Sequence, residues 1–215
     1  MIWHEPTGAG FIGLPKPQQN PATTAADGAP GSRYAYRASL IGAAHQFELT
    51  DEGLSWHIGG RSGVWPYADI SVIRLSYRPV SMQSRRFRAD IGRSDGARIA
   101  ILSTSWQSAA LMAPQDHDYR VFITALHAQM ARAGSQARLA GGLKPGIYAA
   151  AIGLLVLVAM AISGLMVRAL AIGEFAGVLF LVGFAALFAW QVGGFVRRNR
   201  PLAYSFDHLP NALLP

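Results

Sequence analysis

Alternation of apolar and polar residues dominates the middle of the chain. Within His45–Thr50, Phe47 and Leu49 alternate with polar neighbours. Leu54, Trp56 and Ile58 do the same beyond Thr50-Asp51-Glu52-Gly53. A period of two marks half-buried strands, and a glycine at the reversal supplies the positive φ of a tight turn. Phe47/Leu49 and Leu54/Trp56 are therefore expected to share one buried face. Tyr34–Ile41 is a strand-length run ahead of this hairpin. Gly59-Gly60-Arg61-Ser62-Gly63 makes the next reversal, Val64-Trp65 leads into Pro66, and Ile70–Tyr77 forms a further strand.

The following hairpin permits a choice of register. Phe87, Ala89 and Ile91 alternate with Arg86, Arg88 and Asp90, and Ala97, Ile99 and Ile101 follow Ser94-Asp95-Gly96. A two-residue Asp-Gly loop would pair Ile91 with Ala100 and set Asp90 opposite Ile101. A three-residue loop with Gly96 in a left-handed bulge pairs Ile91 with Ile99 and Ala89 with Ile101. The second register joins the apolar faces and is the one expected.

From residue 116 the period becomes helical. Tyr119, Phe122, Ile123, Leu126, Met130 and Ala133 form an i, i+3, i+4, i+7 stripe. Asp116 is the expected N-cap, Arg132 sits in the last turn, and Gly134 is the expected C′ residue. Periodicity then gives way to two uninterrupted apolar runs, Gly146–Val167 and Phe175–Val196. Each has 22 residues without a charged side chain, about 33 Å of helix against a hydrocarbon core of about 30 Å. They are expected to be a pair of transmembrane helices. Lys144, Arg197, Arg198 and Arg200 flank the pair on one side as interface anchors, with Arg132 and Arg138 nearby. The connecting stretch holds only Arg168 and Glu174. The positive-inside rule then places the domain and both termini in the cytoplasm, at the inner (plasma) membrane.

These elements divide the chain. Residues 1–32 are expected as a flexible tail and linker, because LPKPQQNPATTAADGAPGS has no hydrophobic period to offset its ordering entropy. Met1–Gly13 lacks the basic and apolar regions of a signal peptide, and reads as an untethered tail rather than a docking peptide. Residues 33–135 are the β-rich domain, 136–145 a juxtamembrane linker, 146–196 the helix pair and 197–215 a tail. The fold class expected is α+β.

Charge sharpens this division. Of the net +7, residues 1–30 contribute −1, residues 31–145 contribute +6 and residues 146–215 contribute +2. A basic domain held beside a bilayer is drawn to anionic headgroups. Nucleic acid is not the expected partner: the one aromatic among the arginines of the 86–98 hairpin is Phe87, which the pattern buries, whereas single-strand binding needs exposed rings. Arg85, Arg86, Arg88, Arg93 and Arg98 are the candidate lipid- or partner-binding residues. A solvated face that keeps the domain soluble is the plainer account of the same arginines.

Recognisable chemistry is sparse. There is no cysteine, which excludes disulfides and thiol nucleophiles. Gly8-Ala9-Gly10-Phe11-Ile12-Gly13 matches the dinucleotide fingerprint, but no strand precedes it, and Pro15 and Pro17 block the helix that the motif needs. Gly92-Arg93-Ser94-Asp95-Gly96 matches the nucleophile elbow, but strands flank it on both sides, so Ser94 reads as a hairpin tip rather than a partner of Asp116 and His117. His45 and His57 fall on neighbouring strands without a third ligand, so no metal is expected. Within the apolar runs Ser163 and Gln191 are the main polar residues. With no charge at mid-depth, transport is not expected. Ala149/Gly153 and Gly173/Gly177 are small pairs four apart, open either to close packing within the hairpin or between copies, or to no special role.

Phe47-Glu48-Leu49-Thr50-Asp51-Glu52-Gly53-Leu54, then Trp65-Pro66-Tyr67-Ala68-Asp69-Ile70, then a closing helix, resemble bacterial pleckstrin-homology-like domains, including the YcxB-like type joined to a transmembrane hairpin. The resemblance covers roughly Tyr34–Ala133. It implies a split barrel of about seven strands closed by one helix, with no enzymatic chemistry and no cofactor. Residues 116–133 lack the tryptophan that eukaryotic members carry, and no headgroup ligand is carried over to the region of Arg37. The function expected is a membrane-anchored, non-enzymatic module that meets anionic lipid or another protein. The alternative is an accessory subunit docking into a larger membrane complex through its helices.

Overall fold

The computed structural model describes residues 31–79, 85–108 and 111–215. Residues 1–30 of the tail expected over residues 1–32, with its glycine fingerprint, lie outside them.

Strands β1 (Arg33–Tyr36), β2 (His45–Leu49), β3 (Leu54–Ile58) and β4 (Arg61–Trp65) form an antiparallel meander. Phe47 stands opposite Trp56, and Leu49 opposite Leu54, as the alternation requires. The turn between them closes tightly. Gly53 has φ +152°, and a Cβ there would lie 2.2 Å from the carbonyl oxygen of Trp65, so only glycine fits.

Strands β5 (Ile70–Tyr77), β6 (Phe87–Arg93) and β7 (Arg98–Leu102) form a second meander. Ile91 pairs with Ile99 and Ala89 with Ile101, with Gly96 at φ +90°, which is the three-residue loop. A further hairpin, β8 (Thr104–Ser108) with β9 (Leu111–Pro114), was not anticipated. It approaches the first sheet where the Trp106 N–H donates to the Arg37 carbonyl.

Helix α1 (Asp116–Arg132) buries Tyr119, Phe122, Ile123, Leu126 and Met130, and also His127. Two expectations for it need correction. Gln115, not Asp116, is the N-cap residue, and Ala133 lies past the last turn and is exposed. Gly134 does take the left-handed C′ position (φ +66°). The Ser135 N–H reaches the Met130 carbonyl and the Gly134 N–H the Ala131 carbonyl, the paired bonds of a Schellman ending.

The fold class is α+β, with sheets that are mainly antiparallel. Among the described residues β4 does not pair with β5, and β7 ends its sheet, so no closed barrel forms. Over the stretch of the resemblance the described residues form nine strands instead of about seven.

The expected linker is also corrected. Its residues Arg138–Gly141 form β10, parallel to β5, with Leu139 beside Ile73 and Gly141 beside Leu75. Beyond it run α2 (Pro145–Ala171) and α3 (Phe175–Arg198), both long and apolar enough to cross a membrane, and neither burying a residue. The chain then returns to the same sheet as β11 (Leu202–Ala203), antiparallel to β10. Leu213 and Leu214 are buried in the core, with Tyr204, Phe206 and Leu209 packed against it. Residues 197–215 are therefore not a free tail. The helical hairpin is an insertion between two adjacent strands of the β-rich domain.

Candidate functional site

The point where the hairpin leaves the sheet is built around Asn199, which is fully buried. Its Nδ2 donates to the Tyr77 carbonyl at 2.9 Å, and its Oδ1 accepts from the Tyr77 N–H at 3.1 Å. A carboxamide carries a donor and an acceptor side by side, as a peptide group does, so Asn199 pairs with the end of β5 as another strand would. Its own carbonyl accepts from the Leu143 N–H at 3.0 Å, which ties both feet of the hairpin together. Gly142, at φ +76°, lies so close that a Cβ would stand 2.4 Å from the Arg200 oxygen. The Arg198 guanidinium covers the Tyr77 ring at 5.0 Å.

Lys144, Arg197, Arg198 and Arg200 all gather at this junction and are exposed. Arg168 and Glu174 lie at the far end, where α2 closes through Gly173 in a left-handed turn. Because Gly173 lies in that turn, Gly173/Gly177 is not a pair on one helix face. A Cβ at Gly153 would meet nothing within 4 Å, so Ala149/Gly153 does not serve packing within the hairpin. Ser163 lines a groove between the two helices.

The five clustered arginines do not share one face. Arg88 and Arg98 stand on the outer side of the second sheet. There the register adds Arg74, opposite Asp90, and Arg138. Arg88 Nε donates to Asp90 at 2.8 Å. Arg93 turns away to cover the Trp65 ring and pair with Asp95. That hydrogen bond, aided by the Ala97 N–H, holds the Asp95 carboxyl down to about 2. Arg86 donates to the Arg78 carbonyl. Arg85 lines a cavity of about 770 Å³ at the junction, shared with Arg120, Arg197, Arg198 and Trp190. Arg74 was legible, since it alternates with buried Ile73 and Leu75. Arg120 was not, because nothing local to α1 points to a site formed by α3.

His45 and His57 face opposite sides of the first sheet: His45 packs on Tyr36, while His57 pairs with Gln46 on the outer side. No group of three potential metal ligands occurs among the described residues. Ser94 occupies the turn between β6 and β7.

The buried His127 latches the returning chain. Its Nδ1 lies 2.7 Å from the Ile123 carbonyl, and its Nε2 lies 3.0 Å from the Tyr204 hydroxyl. The carbonyl can only accept, so Nδ1 carries the proton and Nε2 accepts from Tyr204. Burial lowers the His127 pKa, opposed by the bond to Ile123. The folded state therefore takes up this proton at lower pH than the unfolded chain does. The contribution of His127 to stability is complete above its ordinary pKa of about 6.5 and fades as pH falls below it. Unfolding midpoints measured between about pH 7 and pH 5 are expected to drop, and His127→Gln to flatten that slope. A residue of slope should remain from His45, which burial also lowers. An unchanged slope in the variant would remove His127 from the account.

Set beside protein-family models, characterised proteins and solved structures, the chain matches none.

Proposed function

We propose that this protein is a membrane-anchored, non-enzymatic module. In this reading α2 and α3 cross the inner membrane as a hairpin. The soluble domain, pleckstrin-homology-like in its two meanders and closing helix, lies against the cytoplasmic face and presents a basic surface to anionic lipid or a protein partner. One observation carries the reading: the apolar hairpin is inserted between the paired strands β10 and β11. Both feet therefore leave the domain on one side, with Lys144, Arg197, Arg198 and Arg200 around them. Seventeen large apolar side chains exposed between Ile147 and Trp190 would be intolerable in water at about 25 cal/mol per Å² of apolar surface. Cations at the feet, with a near-neutral far turn, fit the charge bias of cytoplasmic flanks.

The test combines extraction with labelling. The full chain should stay with membranes in alkaline carbonate. In an otherwise cysteine-free background, Ile172→Cys should react with an impermeant maleimide on intact spheroplasts, and Asp207→Cys only after lysis. Carbonate release would refute the anchor; the reverse labelling pattern would refute the orientation.

A further inference from the structure

The cavity at the junction is graded along its length. At one end Arg85, Arg120, Arg197 and Arg198 converge from three separate parts of the chain. Among the described residues none of the four pairs with an Asp or Glu side chain, since the side-chain ion pairs formed are Arg33–Glu48, Arg88–Asp90 and Arg93–Asp95. Two of them are held in place by the fold. Arg120 Nε donates to the main-chain oxygen of Pro215 at 2.6 Å, and Arg198 stacks on Tyr77. At the other end the wall is α3 itself. Ala189, Gly193 and Gly194 leave a trough there, and a Cβ at either glycine would meet nothing within 4 Å. Trp190 is 79% exposed beside it, two turns before the arginines that end the helix.

Four guanidiniums with no Asp or Glu side chain beside them call for an anion, and their planar forks suit the oxygens of a phosphate. A free phosphate would use only the cationic end. The trough continues that end along an apolar helix, with a tryptophan at the depth where indoles meet the headgroup region. We infer that this cavity holds one anionic phospholipid, its phosphate among the arginines and an acyl chain along the Ala189–Gly193 side of α3. The inference rests on α2 and α3 lying in a bilayer.

The test uses the full chain in nanodiscs of phosphatidylcholine with a minor share of phosphatidylglycerol, and measures the lipids retained through mild-detergent purification. The native chain should retain phosphatidylglycerol in excess of its share. Arg120→Gln and Arg197→Gln should each lower that enrichment about fivefold. Arg61→Gln removes an exposed charge from β4, outside the cavity lining, and should leave it unchanged. Gly194→Leu keeps every arginine but fills the trough, and should also abolish retention, which separates a lipid from a soluble anion. Melting curves of each variant show that the fold persists. Equal retention of the two lipids, an equal effect of Arg61→Gln, or loss of bound lipid to excess inorganic phosphate with Gly194→Leu silent would overturn the inference. Failure of the chain to enter nanodiscs at all would instead count against the anchor.

Discussion

A chain ended after Arg200 is expected to lose its folded β-rich domain while keeping both long helices. Such a truncation appears harmless from the sequence, because it removes only residues beyond the last apolar run. In the structure it removes β11, the Tyr204 hydroxyl that His127 accepts from, and the buried pair Leu213 and Leu214. Leu213 is completely buried, and Leu213→Ala alone is expected to cost about 2–5 kcal/mol. Small domains have about 5–15 kcal/mol in total, so loss of the whole segment leaves little margin. Limited proteolysis in detergent is the check. The native domain should resist cleavage between residues 87 and 132, and the truncated one should be cut there. Equal resistance would mean that the returning segment merely rests on the surface.

The second large effect belongs to Asn199. Asn199→Ala leaves the Tyr77 N–H and carbonyl without their partner at the end of β5. A buried polar group left unpaired costs about 1–3 kcal/mol, so the two together should cost about 3 kcal/mol. This corresponds to an unfolding midpoint lowered by about 10 °C for a domain of this size. Asn199→Asp is the informative companion, because a carboxylate can accept from the Tyr77 N–H but cannot donate to its carbonyl. It should recover at most part of the loss. Full stability in either variant would show that water replaces the side chain and that the junction is looser than its geometry implies.

Features set by local pattern were readable before the structure. The Ile91–Ile99 register followed from where apolar residues fall on either side of Ser94-Asp95-Gly96. The α1 stripe followed from its spacing, and the two apolar helices from length and the absence of charge. Features set by distant partners were not. β10 has four residues and takes its place from a parallel neighbour 66 positions earlier, so nothing within Arg138–Gly141 announces a strand. The Leu213–Leu214 pair is too short to show a period. The arginines near residue 90 are neighbours along the chain, yet strand alternation and a hairpin turn send them to three places. The cationic cavity instead draws on α1 and α3, which only the folded chain brings together. The split barrel implied by resemblance was not found, because the two meanders stay unpaired along their edges.

Placing the hairpin between β10 and β11 also orders events during synthesis. Ribosomes add about 5–20 residues per second, so β5 emerges well before Asn199, 122 positions later, can close its end. In that interval the nascent domain lacks an edge strand and two core leucines. Completion of the fold around β10 thus becomes contingent on where the hairpin has gone, and a chain in which it is misplaced would remain an open substrate for quality-control proteases.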